Sequence, residues 1–249
     1  MRLPKTSRRC DRVMDEIVLG HGDYMAGGSC SEPFLDLDGC RHRRPLVFGN
    51  VYDQPDNPLL ESMFSGRHTD PVEWAVMWKE IGADGVQYTL RSEGDVDTLR
   101  EIVRRSRLPV CVRGDSALIG SARDSVTDCT LILRPDDGGI IGKGSHLLVG
   151  DDIRVSVYTD EDFPIGMMDY RSNGLQGDDA CTLPILADVS PIWERVDGVD
   201  PTPENIRMIS MTEGMAALEA MMNGADMVIV NGPGAADMAR VYGEELADL

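Results

Sequence analysis

Five polar side chains follow apolar segments of the chain, in places where a parallel barrel would hold a ligand. They are Asn50 and Asp53 after one segment, Arg113 after another, then Asp188, and finally Asn231. In such barrels the carboxyl ends of the strands carry the ligand. Amides and carboxylates orient a ligand through hydrogen bonds, and the arginine adds positive charge. These residues predict a polar mouth that binds and orients, although each could also be an ordinary turn residue.

Further strand ends add to the same predicted mouth Asp115, Arg134, Asp136, Asp137 and Ser190. A second candidate is the segment Asn231-Gly232-Pro233-Gly234, where free amides at a helix start could hold an anion. The pair Gly27-Gly28 could allow a ligand to approach the backbone closely, or it could serve a tight turn.

No catalytic residue and no metal site is predicted. The six cysteines are widely spread without a Cys-x-x-Cys pair, so we expect reduced thiols and no iron–sulfur cluster. The four histidines form no His-Glu-x-x-His motif. The adjacent acids Asp136-Asp137 and Asp151-Asp152 would point to opposite faces of a strand, which argues against a catalytic pair.

Strands and helices alternate at both ends of the chain. Asp70 before Pro71 is a strong helix start, and Gly82 is a typical helix end. Nearly all-apolar strands joined by helices imply a parallel sheet covered by helices. The predicted strands are 46–51, 85–90, 109–112, 183–189 and 227–230, and the predicted helices are 72–81, 95–106, 212–223 and 234–248.

The middle of the chain has a different pattern. Predicted strands at 130–134, 145–150 and 153–158 are joined by segments too short for helical crossovers. We therefore expect an antiparallel hairpin around Asp151-Asp152 and a long loop over 160–179. The overall prediction is one TIM-barrel-like α/β domain over 1–249, degenerate in its middle third, where 116–182 is divergent and poor in helices.

Composition excludes some classes of partner. The 249 residues include 43 Asp and Glu against 24 Lys and Arg, which gives a formal net charge of -19. Such a surface repels nucleic acid and anionic lipid. No apolar run is long enough for a transmembrane helix, and the basic start lacks the apolar stretch of a secretory signal. We expect a cytoplasmic protein.

One stretch resembles a known family. Residues 27–53, GGSCSEPFLDLDGCRHRRPLVFGNVYD, resemble the N-terminal block of the delta subunit of acetyl-CoA decarbonylase/synthase, which is also the small subunit of the corrinoid iron–sulfur protein. Asp70-Pro71, Gly82-Ala83-Asp84 and the segment from Glu213 through Gly224-Ala225-Asp226 are similar to later parts of that family. Residues 116–182 lie outside the resemblance, so the chain is identified as a divergent, shortened member.

The resemblance implies a TIM barrel that works with a corrinoid iron–sulfur large subunit or related complex subunits. It implies a cobamide held by that partner and enclosed by this chain, during methyl transfer in one-carbon metabolism such as methanogenesis. The delta subunit carries no cluster and no nucleophile of its own, which implies a non-catalytic subunit. Asn50, Asp53, Arg113, Asp188 and Asn231 would then contact the cobamide.

Two alternatives stay open. One is a pterin-dependent methyltransferase barrel, since such barrels hold the pterin with Asp and Asn at strand ends, and Asn50, Asp188 and Asn231 are of that type. The other is a non-catalytic scaffold subunit of a larger complex.

Overall fold

The chain folds into a closed barrel of strands surrounded by helices. The structure is a computed structural model that describes residues 12–31, 43–52, 58–136, 145–150, 152–159, 163–196 and 198–247. The strands in these ranges are β1 (Glu16–Leu19), β2 (Tyr24–Gly27), β3 (Leu46–Val51), β4 (Gly85–Thr89), β5 (Val110–Gly114), β6 (Ile132–Pro135), β7 (Ser145–Val149), β8 (Asp152–Thr159), β9 (Ile185–Asp188) and β10 (Met227–Val230). The α-helices there are α1 (Pro58–Phe64), α2 (Pro71–Ile81), α3 (Gly94–Ser106), α4 (Ser116–Ser125), α5 (Phe163–Leu175), α6 (Pro203–Met222) and α7 (Pro233–Ala247).

The barrel contains β3 to β10 in the order β10-β3-β4-β5-β6-β7-β8-β9. All neighbours in it run parallel except β7, which is antiparallel to both β6 and β8. The predicted hairpin is confirmed, with Leu148 opposite Ile153 and Val149 opposite Asp152. The predicted fold class, a TIM-barrel-like α/β fold with an antiparallel hairpin in its middle third, is also confirmed.

The barrel interior is apolar over most of its depth. Side chains alternate along each strand, so one set fills the interior while the other packs under the helices. The buried interior side chains are Leu46, Phe48, Cys111, Ile132, Leu147, Val155, Val157, Leu186, Met227 and Ile229. The barrel interior is therefore a packed core, and only the two ends of the barrel are available for a binding site.

The hairpin of β1 and β2 closes the amino-terminal end of the barrel. Its Ile17, Leu19 and Ala26 pack onto the interior cluster, and Gly20 bridges to Thr130 just before β6. Gly27 has a φ of +84°, and a Cβ there would lie 2.0 Å from the Asp15 carbonyl oxygen. The Gly27-Gly28 pair therefore shapes this closure as a tight turn, and approach of a ligand to it stays a prediction.

Several helix predictions hold and others fail. The Asp70 side chain accepts hydrogen bonds from the Val72 and Glu73 amides, and Gly82 ends α2 in the left-handed conformation, as predicted. By contrast, α4 and α5 lie within the segment predicted to be poor in helices, and α5 lies where a loop is predicted. Gly174 in α5 looks like a helix breaker, yet a Cβ there would lie 2.1 Å from the Cys181 carbonyl oxygen. Close tertiary packing therefore explains that glycine.

Helix α6 begins at Pro203 with Thr202 as its cap, well before the predicted start at Thr212. The methionines in this part of the chain divide between the core and the surface. Met221 is buried, whereas Met208, Met211, Met215 and Met222 are exposed on the outer face of the longer helix.

Two further predictions concern the redox state of the cysteines and membrane-spanning helices. Cys30 is disulfide-bonded, which contradicts the expectation that all thiols are reduced, while Cys111, Cys129 and Cys181 are free. In the part of the chain that the structure describes, no helix has the length and apolar character needed to cross a membrane.

Candidate functional site

The carboxyl end of the barrel interior is polar, in contrast to the apolar layers below it. Asn50, Gln87, Arg134 and Asp188 lie near the carboxyl ends of β3, β4, β6 and β9, and Asn231 directly follows β10. All five are buried, and Asn50 is the most exposed of them at 8%. These five side chains together with Ser190 are called the mouth network below.

Amide groups form one half of the mouth network. The Asn50 Nδ2 donates to Asn231 Oδ1 at 2.9 Å, and the Gln87 Nε2 donates to Asn50 Oδ1 at 3.1 Å. Asn231 Nδ2 donates in turn to the Ser190 carbonyl oxygen at 3.0 Å. These bonds distinguish the oxygen from the nitrogen of each amide, which sets its orientation.

A buried ion pair forms the other half. Arg134 Nη1 donates to Asp188 Oδ2 at 2.5 Å and to Gln87 Oε1 at 2.8 Å. Asp188 Oδ1 accepts from the Ser190 hydroxyl at 2.6 Å and from the Ser190 amide at 3.1 Å. Burial by itself would lower the pKa of Arg134, but the Asp188 carboxylate outweighs it and the pKa is raised. The guanidinium therefore keeps its charge in the barrel interior.

Cys111 lies beneath this layer and is not a nucleophile. Its Sγ is 4.0 Å from Gln87 Oε1, and burial raises its pKa to about 12. A thiol with such a pKa stays protonated at neutral pH, and the thiolate is the reactive form. It fills space below the mouth network.

Glu213 of α6 joins the site from outside the barrel. Its Oε1 accepts from the Asn231 amide at 2.6 Å and its Oε2 from the Gly232 amide at 2.8 Å. These amides lead into α7, so the predicted anion position at this helix start is occupied by the chain's own carboxylate. The pKa of Glu213 is raised to about 7, chiefly by burial and to a smaller extent by the charge of Asp188, while the two amide bonds act in the opposite direction.

Four of the five predicted site residues are described. Asn50, Asp188 and Asn231 come together in the mouth network. Arg113 lies at the rim, where its Nε donates to Asp136 Oδ1 at 2.7 Å and both side chains are partly exposed. Asp53 lies outside the described residues. The cobamide contacts assigned to these five residues stay untested predictions.

Two residues of the site were missed by the sequence analysis. Gln87 is a long amide side chain in the middle of the buried strand Gly85–Thr89, between Val86 and Tyr88, and that position could have marked it as a site residue. Glu213 gave no such signal, because the predicted helix start at Thr212 placed it in an exposed first turn. Among the described residues, no cluster of three or more His, Cys, Asp or Glu has the arrangement of a metal site.

Comparisons with solved structures decide the architecture. The chain superposes on dihydropteroate synthase from Thermus thermophilus in complex with 6HMPPP with a TM-score of 0.52 and 15% identity, over 92% of this chain and 98% of that one. This is the fold of a TIM barrel. The dihydropteroate synthase from Burkholderia cenocepacia, complexed with 7,8-dihydropteroate, gives a TM-score of 0.50 and 14% identity over 95% and 98% of the chains. The enzyme from Stenotrophomonas maltophilia, with imidazole in its active site, gives 0.50 and 14% over 83% and 94%.

These findings correct the resemblance stated for the sequence. The similar structures are dihydropteroate synthases, so recognition of the chain as an acetyl-CoA decarbonylase/synthase delta subunit is wrong, although that subunit also has a related fold. A function as a corrinoid subunit is not supported. No family model matches the chain. No curated protein matches it either.

Proposed function

We propose that this chain is a pterin-binding barrel that holds a reduced pterin at the mouth network. This is the second of the functions considered from the sequence, a pterin-dependent barrel. The observation that carries the proposal is the convergence of Asn50, Asp188 and Asn231, with Gln87 and Arg134, on one buried polar floor at the carboxyl ends of the strands.

The chemistry of a pterin suits this floor. Its pyrimidine edge carries an amino group and a ring N–H as donors next to a carbonyl acceptor. A carboxylate has about four lone-pair positions, so Asp188 can accept from a ligand in addition to Arg134 and Ser190. The Asn50 and Gln87 amides each keep an N–H that the bonds described above do not use.

The energetics also favour a ligand site over a purely structural feature. Barrel interiors are ordinarily filled by branched apolar side chains. Replacing a buried ion pair by apolar residues of similar volume is often neutral or stabilising, so Arg134 and Asp188 are a poor choice for stability alone. The presence of this ion pair in the polar floor is best explained by a ligand that the pair orients.

The similar structures support the same class of ligand. One of the dihydropteroate synthases is complexed with 7,8-dihydropteroate, and this chain shares its fold at 14% identity. In the proposed function the barrel supplies burial and orientation, while the reacting group belongs to the pterin.

Calorimetric titration of the purified chain with methyl-tetrahydropterin, and separately with a dihydropterin, tests the proposal. We expect saturable binding without any partner protein, lost in Asp188→Asn and retained in Asp97→Asn. Asp97 is a matched control, because it is an exposed carboxylate of α3 that pairs with Arg100. Absence of heat with the folded wild-type chain and both ligands would overturn the proposal.

A non-catalytic scaffold is the second candidate, and one observation favours it. The members of the mouth network are buried and hydrogen-bonded to one another. If neither pterin binds, the role of the network is to hydrogen-bond its own buried polar groups, and the chain is a structural subunit.

A further inference from the structure

The start of α7 is built like an anion site, yet it is already filled. In (β/α) barrels the loops after the last strands and a nearby helix start frequently bind phosphate. Backbone N–H groups there point at the ligand, and the helix dipole favours negative charge. Here the loop after β10 places the Asn231 and Gly232 amides in that position, and both donate to Glu213.

The Glu213 carboxylate is enclosed tightly. Its residue has no exposed surface. A Cβ on Gly232 would lie 2.9 Å from Glu213 Oε2 and 3.5 Å from Trp193 Cζ2. The glycine thus lets the backbone approach the carboxylate, and there is no room for a second anion between them.

The site adjoins the mouth network directly. Asn231 donates its backbone amide to Glu213 and its side-chain amide to the Ser190 carbonyl oxygen, while its Oδ1 accepts from Asn50. A phosphoryl group that reached these amides from the polar floor would meet the Glu213 carboxylate, and the charge of Asp188 also acts on this position. Two negative charges that lie close together in a buried site repel each other strongly.

We propose that Glu213 is an internal anion that excludes phosphorylated ligands from the mouth, so that the physiological ligand is an unphosphorylated heterocycle. The identity of that heterocycle as a pterin rests on the proposed function. The exclusion of phosphate is a property of Glu213 itself.

The experiment uses inorganic phosphate and inorganic pyrophosphate as probes on the full chain at pH 8, against sodium chloride of matched ionic strength. The variants are Glu213→Ala, which opens the position, and Glu213→Gln, which removes the charge with little change in volume. Glu219→Ala is the control, because Glu219 is an exposed acid of the same helix. Thermal shift and calorimetry are the readouts.

We expect no saturable binding of either probe to the wild type or to Glu219→Ala, and a gain of about tenfold or more in pyrophosphate affinity for Glu213→Ala. Glu213→Gln should gain affinity to a smaller extent. Saturable binding of pyrophosphate to the wild type would overturn the proposal, as would the absence of any gain in folded Glu213→Ala or Glu213→Gln. Binding of pyrophosphate to the wild type overturns the proposal whether or not the two variants fold.

Failure of the proposed function is a separate result. If the wild type binds no pterin but the Glu213 variants gain pyrophosphate binding, the proposed pterin function is refuted and the exclusion of phosphate by Glu213 still stands. A wild type that binds phosphorylated and unphosphorylated pterin equally well refutes the exclusion and leaves the pterin intact.

Discussion

Both ends of the barrel carry arginine–aspartate pairs whose aspartates are buried, and the two ends use them differently. At the amino-terminal end, Arg171 pairs with Asp226 at 2.9 Å and Arg44 pairs with Asp84 at 2.5 Å. At the carboxyl end, Arg134 pairs with Asp188 at 2.5 Å. The chemistry is the same, but the other partners of the three aspartates differ.

The aspartates at the amino-terminal end connect neighbouring strands. Asp226 Oδ2 accepts from the Ile185 amide at 2.8 Å, and Asp84 Oδ2 accepts from the Val47 amide at 2.9 Å. Both acids end the same tripeptide, Gly-Ala-Asp, that leads from a helix into β4 and into β10. Each therefore fixes a strand start against its neighbour, which is a structural role.

Asp188 at the carboxyl end makes no such connection in the described residues. It bonds to Arg134 and to Ser190, which lies in the turn that follows its own strand. The difference fits the general division of such barrels, in which the amino-terminal face serves stability and the carboxyl-terminal face serves function. It also yields variants that separate the two roles.

The largest expected effect is on stability, from Asp226→Asn. It removes the charge that balances buried Arg171, and breaking such a pair typically costs about 3–5 kcal/mol. The free energy of unfolding in urea measures the loss, with Asp97→Asn as control. A loss below about 1 kcal/mol would remove the structural role of the amino-terminal pair.

The second largest expected effect is a dependence of the unfolding free energy on pH, caused by Glu213. Its pKa is about 7 in the folded chain against an ordinary value of 4.5, so between these values the folded state keeps a proton that the unfolded state releases. Stability from this group is therefore complete below about pH 4.5 and is lost as the pH rises to about 7, by roughly 3 kcal/mol.

The difference in unfolding free energy between the wild type and Glu213→Gln, followed from pH 5 to 8, isolates this contribution. The groups facing Glu213 are Asp188, Tyr52 and Trp193, and of these Asp188 is paired with Arg134. A difference that does not change with pH would contradict the prediction.

Asp188→Asn is expected to cost less stability than Asp226→Asn, about 1–3 kcal/mol, because Asp226 also holds the Ile185 amide of the neighbouring strand, whereas Asp188 makes no such bond in the described residues. Its main effect is on ligand binding, where we expect a loss in pterin affinity of roughly a hundredfold. Calorimetry on both variants gives the contrast. Folded Asp226→Asn should bind pterin like the wild type, and equal losses of affinity in the two variants would contradict the division of roles.

The smallest effect is expected from Arg113→Ala. Its ion pair with Asp136 is partly exposed, so the loss of stability should be about 0.2–1 kcal/mol. Pterin affinity should fall by a few fold at most, since Arg113 lies at the rim. A loss as large as that of Asp188→Asn would move Arg113 from the rim into the primary binding set.

Local signals in the sequence determined much of the architecture. The apolar segments 46–51 and 227–230 are strands with the predicted bounds, and the Asp70-Pro71 start and the Gly82 end of α2 are as predicted. The hairpin of β7 and β8 followed from connection length alone. These features depend on residues near one another in the chain, and this is why they could be read without a structure.

The tertiary structure decided what local patterns cannot express. Helix α5 has no apolar face at regular spacing. The amides that bond to Glu213 lie in the loop that follows β10, far from Glu213 in the sequence. The sequence placed Asn50, Asp188 and Asn231 at strand ends, but their hydrogen bonds depend on closure of the barrel. Closure brings β10 beside β3, which are distant in sequence, and only then does a row of strand ends become one polar floor.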